Sequence, residues 1–194
     1  MFNEQIIEAV KNARYDEKIS NVLVNLMNYM EKNQWIGACY ATSTVLYVCL
    51  KELGYEPKLC IGEAFTEFPV SMSFDHGWIE LDGKIIDLAC SMTLLNGYPA
   101  SPPVIFDKEI LSNEFHHIEY GIKGRGLDLE AKRVMSSPLK KYMLDFPNEK
   151  GGLFGVVNIV LNHKGSIKNI RDKYDYNPWI YVQNDLKAVE QEVF

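Results

Sequence analysis

A thiol, an imidazole and a carboxylate occur at Cys39, His76 and Asp87, and the residues around each suit them to act together. Nucleophile, general base and a group that orients the base are the parts of thiol-dependent acyl chemistry. Cys39 stands at the head of YATSTVLYVCLKEL, residues 40–53, a stretch that reads as a helix with almost no polar face before Lys51 and Glu52. A helix apolar nearly all round is buried. Gly54 sits where a helix stop belongs, with Pro57 just beyond. Cys39 therefore falls at the N-terminus of a buried helix, where unpaired N–H groups and the helix dipole favour a thiolate. The same N–H groups can bind the oxyanion formed when a thiolate attacks a carbonyl.

His76 and Asp87 lie in FDHGWIELDGKIIDLA, where Asp82-Gly83 between two alternating runs signals a two-residue hairpin turn. That turn pairs Leu81 with Lys84, Ile79 with Ile86 and Trp78 with Asp87. His76, Trp78 and Glu80 then share a face with Ile85, Asp87 and Ala89. Ile79, Leu81, Ile86 and Leu88 form the opposite, core face. His76 and Asp87 become diagonal neighbours, roughly 7–8 Å apart at the backbone and within side-chain reach. A loop one residue longer would break the juxtaposition.

The remaining elements must position this group. Residues 2–13 and 17–32 read as helices, the second with Ile19, Val22, Leu23, Leu26, Met27 and Met30 at helical spacing, and so as a cover for the core. Residues 58–65 read as a strand, and residues 65–74 as a loop at the mouth of the site. Residues 93–103, with Asn96-Gly97 and three prolines, are irregular. Residues 104–106 and 115–122 read as strands. His116 and His117 then point to opposite faces and do not form a two-ligand metal site. The glycines of GIKGRG, residues 121–126, lack the strand–turn–helix context of a phosphate loop and read as a turn. Residues 127–146 read as a helix interrupted near Pro138. Residues 153–170 read as a hairpin turning at residues 163–166. Tyr174, Tyr176, Trp179 and Tyr181 suit a packing strand, or alternatively a peptide-docking surface, and residues 185–194 suit a short helix.

The order Cys, His, Asp resembles the transglutaminase-like superfamily, whose fold is related to papain. GACYATSTVLYVCLKELGYEPKLCIGEA and FDHGWIELDGKIIDLA carry the resemblance, over about residues 34–90. Within the superfamily the short core is most similar to the bacterial branch that includes leader peptidases of lasso-peptide maturation. A length of 194 residues suits a single domain, and the resemblance implies an α+β, papain-like core with a central helix packed on an antiparallel sheet. Residues 34–90 would be the catalytic core, 1–33 a helical cover and 91–194 C-terminal additions of strands and helices. It implies Cys39 as nucleophile, His76 as base and Asp87 as the residue that orients it. Papain-like enzymes use a Gln slightly upstream of the cysteine at the oxyanion, which makes Gln34 and the indole N–H of Trp35 candidates here. Tyr40, Phe74 and Trp78 are candidates for contact with substrate.

The implied reaction is hydrolysis of a peptide or protein amide, by a protease, amidase or deamidase. The alternatives are acyl transfer to an amine by the same triad, and a non-catalytic binding domain on the same fold. Neither a metal nor an organic cofactor is expected. The four cysteines, at 39, 49, 60 and 90, have no close pair of the kind that holds zinc, and suit reduced thiols in the cytoplasm. Cys90 is the rival nucleophile, but lacks a helix N-terminus. A net charge of −6 with no basic run argues against nucleic acid as a partner. The charged first 20 residues are unlike a signal peptide, and no apolar run reaches the roughly 18–20 residues of a membrane helix.

Overall fold

A computed structural model describes residues 2–67, 71–93, 98–147, 149–163 and 167–184. Residues 164–166 of the turn expected at 163–166, the Asn96-Gly97 step and the terminal helix lie outside them. The described chain is a mixed α+β structure in the order α1 (Asn3–Asn12), α2 (Glu17–Asn33), α3 (Cys39–Glu52), β1 (Lys58–Thr66), β2 (Met72–Leu81) and β3 (Lys84–Asp87). A 3-10 turn over Ala89–Met92 follows. Then come β4 (Val104–Ile105), β5 (Lys108–Glu109), β6 (Glu119–Ile122), α4 (Leu129–Ser136), α5 (Leu139–Asp145), α6 (Leu153–Val160), α7 (Ile167–Arg171) and β7 (Trp179–Tyr181). No helix among the described residues is long and apolar enough to cross a membrane.

The sheet runs β5-β4-β3-β2-β1-β6, every neighbour antiparallel. β7 is the exception to the expected antiparallel pattern, joining β1 in parallel through Leu59, Cys60 and Ile61. It shares that edge of β1 with β6, which takes Glu63–Phe65 beyond. The turn at Asp82-Gly83 adopts positive φ at both residues, +52° and +76°, as a type I′ hairpin requires. It pairs Leu81 with Lys84 and Ile79 with Ile86. Leu59, Ile61, Ile79, Leu81, Ile86 and Leu88 pack with the helices in the main core. The opposite face carries Cys60, Ala64, Trp78 and Tyr120 in a second, smaller cluster.

Three expected elements differ. Residues 153–160 and 167–170 are helical, not the strands of a hairpin. Leu153, Val156, Val157 and Val160 are buried, and this spacing is that of one helix face. α6 packs that face in the main core with α3, and tertiary burial overrides the strand preference of valine and isoleucine. The hairpin β1–β2 continues to Thr66 and Met72, so residues 65, 66 and 72–74 of the expected loop are strand. Only residues 119–122 of the expected 115–122 strand pair in the sheet. Phe115 instead bridges Lys108, and the His116 N–H goes to the Asp107 carbonyl at 3.0 Å, which turns this backbone toward β5.

Candidate active site

α3 is buried along nearly its whole length, from Ala41 to Leu50. Its N-cap, Ala38, supplies no side-chain acceptor, so the first-turn N–H groups have no capping partner of the kind Ser or Asp would provide. Cys39 is the first residue of this helix and is partly exposed, whereas Cys49, Cys60 and Cys90 are buried. Burial raises the Cys49 and Cys90 thiols well above the ordinary range and the Cys60 thiol to about 12. The Cys90 thiol also points at the carbonyls of Asp87 and Pro102, 3.2 and 3.3 Å away, and reads as structural.

α3 comes close to β2 because residue 77 is glycine. A Cβ there would lie 3.0 Å from both Ser43 Oγ and the Tyr40 ring. The close approach holds the head of the helix beside His76. The His76 ring is buried, with Nε2 2.7 Å from Asp87 Oδ2. Nδ1 is the ring nitrogen left free of Asp87, and Cys39 lies close enough to act on the ring. Burial alone would push the imidazole down, but the Asp87 carboxylate overrides it and Cys39 adds to the effect, so His76 is raised to about 10.

Asp87 is likewise buried and fully engaged. Oδ2 also accepts the Tyr120 hydroxyl at 2.8 Å. Oδ1 accepts the N–H groups of Ala89 and Cys90 at 2.9 and 3.1 Å. Burial would raise this carboxyl. The His76 charge and these hydrogen bonds reverse that and hold it below its ordinary value. Tyr120 was not legible as part of the site. No motif marks it, and its position depends on β6 joining the far edge of β1, where Ala64 pairs Tyr120.

A cleft of about 130 Å³ opens at this point, lined by Gly37, Cys39, Phe74, Asp75, His76 and Met92 among others. A larger cavity of about 570 Å³ lies between α1 and the β4–β5 edge. Its lining includes no thiol and no imidazole, whereas the smaller cleft has both Cys39 and His76. Among the described residues no group of three or more His, Cys, Asp or Glu side chains is arranged to hold a metal ion.

The other sequence candidates divide. Phe74 lines the cleft and sets its edge on the His76 ring, centroids 5.3 Å apart. Tyr40 is half-buried between α3 and Trp179, edge-on at 6.1 Å. Trp78 is a correction: it is buried in the second cluster against Tyr120 and cannot reach substrate. Its place on the His76 face gave the right side of the sheet but the wrong environment. Gln34 is the exposed, left-handed C-cap of α2 and does not line the cleft. Trp35 is buried and directs its indole N–H to Glu149, 3.3 Å away. Neither side chain is placed at Cys39, where the uncapped first-turn N–H groups of α3 lie. The glycine turn at residues 124–126 is a turn with a purpose, since three successive N–H groups donate to the buried Glu63 carboxylate.

No family model matches the chain, and neither a curated protein nor a solved structure matches it.

Proposed function

We propose that this chain is a cysteine-dependent hydrolase of peptide or protein amides, with a transglutaminase-like, papain-related core. The observation that carries the reading is the buried His76–Asp87 pair facing a partly exposed cysteine at an uncapped helix N-terminus. Cys39 Sγ attacks the amide carbonyl, forming a C–S bond while the carbonyl electrons move to oxygen. The first-turn N–H groups of α3 stabilise that oxyanion. His76 gives its proton to the leaving amine as the C–N bond breaks, which leaves a thioester on Cys39. Water then attacks the thioester, His76 takes a proton from it, and the carboxylic acid leaves with the thiol restored. Asp87 holds the ring with Nε2 as donor throughout.

The test is alkylation of the folded protein by iodoacetamide between pH 5 and 9, with each modified cysteine located by mass spectrometry. Cys39 is expected to react first and Cys49, Cys60 and Cys90 not at all. His76→Ala is expected to slow Cys39 at neutral pH by about tenfold or more, as loss of an imidazolium beside a thiolate requires. Equal rates in the two proteins would remove the catalytic pair and the reading with it. A positive result directs a search with peptide amides, in which acceleration by added primary amines would mark a transferase instead.

A further inference from the structure

We infer that Asp75 makes the Cys39 cleft selective for substrates carrying a cationic side chain, lysine or arginine, next to the scissile amide. This rests on the thiol-site reading above and extends it to the class of substrate. Asp75 immediately precedes His76 on β2 and lines the same cleft as Cys39. Apart from the Cys39–His76 pair it is the charged residue of that lining, whose other members include the apolar Phe74, Ala89 and Met92.

The carboxylate is half-used. Oδ2 accepts the Asp128 N–H at 2.9 Å, and among the described residues Oδ1 has no hydrogen-bond partner and no cation pairs with the group. Its neighbours are turned elsewhere: Asp128 Oδ1 accepts the Ala131 N–H to cap α4, and Glu63 is saturated by the glycine turn. Arg125 is the cation whose charge reaches the group. Asp75 is thus a held, partly buried negative charge in the lining of the Cys39 cleft. Burial, and the carboxylates of Asp128 and Glu63, push it above its ordinary range, against the Asp128 N–H and the Arg125 charge. A substrate cation would relieve that penalty, whereas a substrate carboxylate would add a fourth negative charge.

Charge-graded thiol reagents test this without a known substrate. The full chain is treated with three methanethiosulfonates, carrying a neutral methyl group, a trimethylammonium group or a sulfonate group. Rates at Cys39 are read by mass spectrometry, divided by the rates for free cysteine and normalised to the neutral reagent within each protein. In the wild type the cationic reagent is expected to exceed the anionic one by about tenfold, the effect of one close charge at intermediate dielectric. Asp75→Asn, whose amide oxygen can still accept the Asp128 N–H, is expected to cut that ratio to within about threefold of unity. Glu8→Gln, on α1 away from the cleft, removes the same unit of charge and is expected to keep the wild-type ratio. A ratio equal in wild type and Asp75→Asn, or lowered equally by Glu8→Gln, overturns the assignment while leaving the thiol site standing. Failure of all three reagents at Cys39 overturns both.

Discussion

Replacing Asp87 by asparagine keeps the shape of the site and reverses its logic. The two carboxylate oxygens are not equivalent. Oδ1 receives the Ala89 and Cys90 N–H groups, while Oδ2 receives His76 and Tyr120. An asparagine must keep its amide oxygen toward the two N–H groups, because the opposite rotamer would strand both in a buried site at about 1–3 kcal/mol each. Its NH2 group then occupies the Oδ2 position and donates. The Tyr120 hydroxyl can rotate to accept, but His76 can accept only by giving up its Nε2 proton. The neutral ring then carries its proton on Nδ1, toward Cys39, and cannot take one from the thiol. A hydrogen bond to a charged group contributes about 1.5–3 kcal/mol, so its loss is expected to slow Cys39 by about 10- to 100-fold at about 1.4 kcal/mol per tenfold. The assay is the iodoacetamide rate at Cys39 at pH 6.5, with urea denaturation in parallel to show that the variant folds. Asp87→Ala, by contrast, is expected to cost about 3–5 kcal/mol of stability, because it breaks a buried ion pair outright. A folded Asp87→Asn protein that alkylates within threefold of the wild type would refute the assignment of the carboxylate.

Stability should follow the same pair. His76 is raised to about 10 from an ordinary 6.5, so its contribution is complete below pH 6.5 and is lost as pH rises through about 10. The urea midpoint is expected to fall across that window in the wild type and to flatten in His76→Ala. Asp87 is held below its ordinary value, so its contribution is present at neutral pH and is lost as pH falls below the ordinary carboxyl range, a fall that Asp87→Asn should lessen. Tyr120→Phe removes one donor from a buried carboxylate and is expected to destabilise by about 1.5–3 kcal/mol. It should also slow Cys39 alkylation several-fold, while leaving the rate above that of Asp87→Asn. Gly77→Ala sets a methyl 3.0 Å from Ser43 Oγ and the Tyr40 ring, which should cost about 1–3 kcal/mol of overpacking. The head of α3 must then retreat from β2, and Cys39 is expected to lose its rate advantage over a free thiol even in protein that remains folded.

What could be read from the sequence was whatever local chemistry fixes. The Asp82-Gly83 turn sets the register of β2 against β3 without help from the rest of the chain. The apolar circumference of residues 40–53 states burial whatever covers it. The first brings His76 to Asp87 and the second puts Cys39 at the head of a buried helix, while the packing of α3 on β2 at Gly77 brings the two parts together. What stayed hidden depends on contacts between distant residues. The Trp35 N–H is claimed by Glu149, 114 residues on, and nothing near Trp35 announces it. Tyr120 reaches Asp87 only because β6 docks on β1 past an irregularity between Glu63 and Ala64. α6 misled because LFGVVNIV satisfies a strand in composition and a helix in spacing, and only its partner α3 decides between them.

Asp87 also explains why there is a cleft at all. β3 pairs with β2 through Ile79, Glu80 and Leu81, and Asp87 ends the strand. Asp87 Oδ1 gathers the N–H groups of Ala89 and Cys90, which starts the 3-10 turn over Ala89–Met92 and carries the chain away from β2. Gly37 donates to the Met92 carbonyl at 2.7 Å, tying the end of that turn to the loop before Cys39. Phe74, Asp75 and His76 therefore face an opening where another strand would otherwise lie, with the thiol across it. One oxygen of the carboxylate shapes the opening and the other holds His76 at its edge. A residue that only oriented the histidine could sit on any neighbouring element. One that must also end the strand has to lie at the last position of β3, where Asp87 is.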